Sequence, residues 1–76
     1  MGFNYAKLLG RIKEYGFTHE NLANKIGIAP STLSAKLNNK YSFTIAEIEA
    51  IRKALEIGKG EIGIYFFTQK VQKTEQ

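Results

Sequence analysis

The chain has 76 residues, too few for two independent domains and near the lower limit for a fold held by packing alone. It contains no cysteine, which excludes disulfides and thiolate metal sites, and 43% of its residues are hydrophobic, enough for one core. The formal net charge is +4, a modest bias towards anionic partners.

The lack of cysteine fits a reducing cytoplasm, which is the expected location. Met1 to Tyr5 carry no apolar leader, and the longest apolar run, Ile62 to Phe67 interrupted by Gly63, is too short for a bilayer, so no membrane role is expected. No Asp or Glu occurs between Glu20 and Glu47, a stretch that carries Lys25, Lys36 and Lys40. A basic, acid-free middle suits a surface facing phosphates.

Four segments have helical periodicity with their own start and stop signals. In the first, Tyr5, Leu8, Leu9, Ile12 and Tyr15 share one face, with Asn4 as N-cap, Phe3 stapled to Leu8 and Gly16 as the stop. Lys7, Arg11, Lys13 and Glu14 take its wet side. The second starts at the N-cap Thr18, buries Leu22, Ala23 and Ile26, staples Phe17 to Leu22 and ends at Gly27. The third runs from about Pro30 to Asn38, with proline well tolerated at the first helical position. Only Leu33 and Leu37 anchor it, so it presents small polar groups elsewhere. After a loop over residues 39–43, Thr44 and Glu47 form a capping box for the fourth helix. Phe43 staples to Ile48; Ile45, Ile48, Ile51 and Leu55 form the buried face; Gly58 stops the helix. Glu61 to Phe66 reads as a short fifth helix, against a competing strand across Ile62 to Val71. The expected architecture is all-α: a compact bundle of four to five short helices over residues 3–66, with a polar tail over 67–76.

Helices two and three are joined only by Gly27, Ile28 and Ala29, a turn that forces a steep crossing and leaves helix three protruding. A short protruding helix of small polar residues has the shape that enters a major groove.

The run from Thr18 to Lys40, THENLANKIGIAPSTLSAKLNNK, resembles the Cro/C1-type helix-turn-helix of phage repressors. The resemblance rests on Leu22-Ala23, Gly27, Ser31 to Ser34 and Leu37 to Lys40, and extends through Phe43-Thr44 to the helix ending at Leu55. The ending Tyr65-Phe66-Phe67-Thr68 resembles small phage-encoded proteins of this group in Gram-positive bacteria. The resemblance implies a lambda-repressor-like fold of five helices, operator binding and dimeric action on a near-palindromic site of double-stranded DNA. The sequence departs from the family at Ala29, where Ser or Thr usually caps the recognition helix, and at Asn39, where Gly is common. The recognition helix also lacks Gln and Arg.

Carried over by position, Pro30, Ser31, Thr32, Ser34, Ala35 and Lys36 would face the groove, with Lys36 reaching a guanine or a phosphate. Replacing Lys36 and Ser31 together would then abolish operator preference and leave thermal unfolding nearly unchanged. Thr18, His19 and Asn24 would meet phosphates from helix two, and Asn38, Asn39, Lys40 and Tyr41 from the loop. Tyr65, Phe66 and Phe67 would form a homodimer surface, with core packing as the competing reading.

An enzyme is not expected. His19 is the only histidine, so neither a metal site nor a triad can form around it, and Gly58, Gly60 and Gly63 lack the lysine and spacing of a phosphate loop. No cofactor, metal or small-molecule ligand is expected. The leading expectation is a transcriptional regulator that occupies operator DNA. The alternative is a protein-binding module on the same scaffold, with an antirepressor- or antitoxin-like partner. Steep loss of affinity with salt marks the first and not the second.

Overall fold

The computed structural model describes residues 2–69, and these form five α-helices and one 3₁₀ turn. The helices are α1 (Ala6–Glu14), α2 (His19–Ile26), α3 (Pro30–Leu37), α4 (Ile45–Ala54) and α5 (Ile62–Phe66), with the 3₁₀ turn (Lys59–Glu61) before α5. The only β-type pairing among the described residues is one antiparallel bridge, Phe3 to Gln69. The chain is therefore all-α, as its periodicity predicts.

Local chemistry sets most helix ends. The N-cap of α1 is Tyr5, not Asn4 as expected, and makes no side-chain cap; Asn4, one residue before it, accepts from Ala6 N–H through Oδ1 at 2.8 Å. Thr18 Oγ1 accepts from Asn21 N–H at 3.0 Å and caps α2. Gly27 closes α2 in the left-handed region at φ +85°, where a Cβ would be strained, and its N–H returns to Ala23 O at 2.9 Å. Pro30 opens α3 behind Ala29, which makes no side-chain cap. Thr44 and Glu47 form the full capping box of α4, with Glu47 N–H to Thr44 Oγ1 at 3.1 Å and Thr44 N–H to Glu47 Oε1 at 2.9 Å.

Leu8, Ile12, Leu22, Ala23, Leu33, Ile51, Leu55 and Phe66 meet in one core, with α2 packed on α3 and α4, and α1 on α5. The three staple aromatics, Phe3, Phe17 and Phe43, are half-buried against it. An aromatic seam joins the chain ends to the core. Phe67 meets Phe3 edge-on at 5.6 Å, Tyr5 meets Phe43 at 5.5 Å, and Phe43 meets Phe66 at 5.7 Å.

The structure departs from the sequence pattern at Ile45, Leu9, the end of α4 and Arg11. Ile45 is not part of the buried face: it is 81% exposed, because Ile48 and Ile51 already fill the core side of α4. Leu9 is likewise mostly outside, at 39%. Helix α4 ends at Ala54, not at Gly58; Glu56 makes the turn at φ +55° and Ile57 is then buried. Arg11 does not lie on a wet face. Its Nε and Nη2 donate to Leu55 O at 3.0 Å and Glu56 O at 2.8 Å, and its guanidinium lies 4.8 Å from the Tyr15 ring centre. A cation from α1 thus satisfies carbonyls that the end of α4 leaves open.

Residues 67–69 do not begin a free tail. Asn4 N–H donates to Thr68 O at 2.6 Å, and Thr68 Oγ1 donates back to Ile64 O at 2.6 Å. Residues 70–76 of the expected tail lie outside the described residues.

Candidate recognition surface

The turn between α2 and α3 is built by backbone alone. Gly27 N–H and Ile28 N–H both reach Ala23 O, at 2.9 and 3.0 Å, and half-buried Ile28 plugs the joint. The two helices therefore pack against each other across the turn, with α3 anchored by Leu33 at 0% and Leu37 at 8% exposure. Pro30 and Ser31 are exposed at the start of α3, while Thr32, Ser34 and Ala35 are half-buried along it.

Lys36 departs from its expected place. It is only 8% exposed, and its Nζ lies 2.7 Å from Glu47 Oε1 and 3.2 Å from Ser42 O. The ammonium is turned inward to join the end of α3 to the start of α4, so it is not a groove-facing reader. The physical reason is Glu47. Its carboxylate, half-buried by the capping box, needs a charge partner, and Lys36 is the cation within reach. Burial pushes the Glu47 carboxyl up, but the hydrogen bond from Lys36, those from Thr44 and the Lys36 charge outweigh it, and the net shift is below the ordinary carboxylate value.

The expected phosphate-facing residues divide into two groups. His19, Asn24, Lys40 and Tyr41 are exposed. Thr18, Asn38 and Asn39 have their side chains engaged within the molecule. Thr18 caps α2, and Asn38 Nδ2 donates to Ser34 O at 3.0 Å. Asn39 sits at φ +65° and clasps the N-terminal segment: Phe3 N–H donates to its Oδ1 at 2.9 Å, and its Nδ2 donates to Phe3 O at 3.0 Å. A Cβ added to Gly2 would come within 2.6 Å of the Asn39 side chain, so this clasp also requires glycine at position 2.

The expected dimer cluster separates too. Phe66 is 1% exposed and belongs to the core, which removes it from any dimer surface. Tyr65 is half-buried near Arg11, at 5.8 Å from its ring centre, and Phe67 alone stands half in solvent. The α3–α4 junction holds two large apolar side chains outward: Tyr41, expected in the exposed loop, and Ile45, expected in the core. Tyr41 is 67% exposed and Ile45 81% exposed. The signal was present in the capping box, since it fixes Ile45 as the first residue of α4, where a side chain can escape the core. Among the described residues, no group of three metal-ligating side chains occurs, and no helix is long and apolar enough to cross a membrane.

The fold and this surface define the chain as a small all-α domain in which α2 and α3 pack together across a three-residue turn. It belongs to the family described as protein of unknown function (DUF739), whose model matches residues 1–69. Its structure is similar to the solution structure of the modulator of repression (MOR) of the temperate bacteriophage TP901-1 from Lactococcus lactis. The two chains are 38% identical with a TM-score of 0.76, over 95% of this chain and 97% of the other. No curated protein matches the chain. The kinship with a phage regulatory protein agrees with the phage character that the sequence suggests.

Proposed function

We propose that this protein regulates phage repression by binding a repressor protein. The observation that carries this reading is the likeness to a modulator of repression along nearly the whole of both chains. The simplest target for a modulator of repression is the repressor itself. The burial of Lys36 supports a protein partner over an operator. With its ammonium held by Glu47, α3 offers no cation to base edges, and Arg or Lys on guanine is the commonest base-specific contact.

A second reading, operator binding by the chain itself, is supported by the helix-turn-helix packing and by the acid-free stretch that includes exposed Lys25 and Lys40. In that reading Pro30, Ser31, Thr32, Ser34 and Ala35 touch bases, His19, Asn24, Lys40 and Tyr41 lie near phosphates, and the protein acts as a dimer. In both readings it works in the cytoplasm and catalyses no reaction.

One titration separates the two. The purified chain is added to the repressor of the phage that carries it, with that repressor bound to labelled operator DNA. The proposal expects a change in operator occupancy and a chain–repressor complex that survives moderate salt. Tight binding of the chain to operator without repressor, lost about tenfold or more between low and moderate salt, supports the second reading and overturns the first.

A further inference from the structure

We infer that the α3–α4 junction is the docking site for the repressor, with Tyr41 and Ile45 entering an apolar cleft that is rimmed by carboxylates. The inference deepens the repressor-binding reading and rests on it. Tyr41 and Ile45 are the two most exposed of the large apolar side chains among the described residues, at 67% and 81%. Leaving such groups in water is unfavourable, and residues of this kind anchor protein interfaces when a partner pocket accepts them.

The junction that carries them is held firmly. Lys36 ties it from below through Ser42 O and Glu47, the capping box fixes Thr44, and Asn39 fastens its start to Phe3. Binding to a segment already held in place avoids most of the ordering cost that a free loop would carry.

Charge selects the partner. The only carboxylates between residues 21 and 55 are Glu47 and Glu49, and both are ion-paired, with Lys36 at 2.7 Å and Arg52 at 3.1 Å. Lys40 is exposed next to Tyr41 and has no ion pair among the described residues. The junction thus carries two exposed apolar side chains and one cation, Lys40, unpaired among the described residues, with its own carboxylates neutralised. A complementary protein face is apolar with carboxylates around it. Phosphates would also satisfy Lys40, but they offer nothing to an isoleucine side chain, so Ile45 separates a protein partner from DNA.

The test measures binding of the full chain to the purified repressor of its own phage, for wild type, Ile45→Asp, Tyr41→Ala and Lys40→Glu. Thermal unfolding of each variant is followed in parallel. Asp in the first turn of α4 favours the helix, so Ile45→Asp should unfold at the wild-type temperature or slightly above. The expected result is a loss of repressor affinity of tenfold or more for Ile45→Asp, a similar loss for Tyr41→Ala, and about three- to tenfold for Lys40→Glu. Wild-type binding with no loss in Ile45→Asp overturns the docking site and leaves the proposed function standing. No binding by wild type removes both. Stronger binding by Lys40→Glu overturns the carboxylate rim. A loss confined to operator DNA, or a shift of the free chain from dimer to monomer with unchanged repressor affinity, assigns the patch to DNA or to a second copy and overturns the inference.

Discussion

Helices α3 and α4 start in opposite ways. Helix α4 begins with a complete capping box whose carboxylate also holds the ammonium of Lys36. Helix α3 begins at Ala29 and Pro30 with no side-chain cap at all. One start is over-determined; the other depends on proline geometry and on Leu33 and Leu37 below it. Side-chain fastening is concentrated at the α3–α4 junction, which carries the exposed Tyr41 and Ile45, and is absent from the N-terminal tip of α3, which in a DNA reader must meet base edges.

If α3 is held chiefly by its apolar anchors, Leu33→Ala should have the largest effect, about 3 kcal/mol of stability by denaturant titration. A cost below about 1 kcal/mol would mean that something other than Leu33 holds the helix.

Lys36→Ala should come next, at about 2 kcal/mol and on the order of 10 °C in Tm, because it leaves the Glu47 carboxylate half-buried without its charge partner. A groove-facing lysine would give almost no change in Tm, the outcome expected for this residue from sequence. The same pair gives a pH dependence with a definite sign. The folded Glu47 titrates below the unfolded carboxylate, so its stabilisation is complete above the unfolded value, about 4.3, and fades as the pH falls through the lower folded value. Lys36→Met should flatten that acid limb in urea titrations from neutral pH downward. An unchanged limb would assign the acid sensitivity to other carboxylates.

Thr44→Ala should cost about 1 kcal/mol, since it removes the acceptor for Glu47 N–H but leaves the ion pair. The smallest effect is a gain. Ala29 has φ −70° and ψ 145°, the backbone of a good N-cap, so Ala29→Asp should stabilise the protein by about 0.5–1 kcal/mol. A loss there would show that α3 does not start as freely as its backbone suggests.

The helices were legible because their signals are local. Thr18 bonds the N–H three residues on, Thr44 and Glu47 do the same in both directions, and Gly27 turns the chain where only a residue without Cβ is at ease. The packing of α2 on α3 follows from two such helices and a short turn. The candidate surface was less legible. Reading by position placed Lys36 outward because the surface side of α3 is polar; Glu47, eleven residues away, turned it inward. Ile45 was assigned to the core by its apolar character, whereas the start of α4 leaves it outside. Phe66 and Phe67 are adjacent and chemically alike, yet one fills the core and the other stands half in water.

By itself the sequence determined the all-α class, the order of the helices and most of their caps, since these depend on groups a few residues apart in the chain. Which polar side chains serve the fold and which apolar ones face solvent depends on contacts between distant parts of the chain. Arg11 reaches Leu55 across 44 residues, and Asn39 reaches Phe3 across 36. Such partners are chosen by which groups burial brings together and leaves in need of a hydrogen bond, and no local pattern in the chain records that choice.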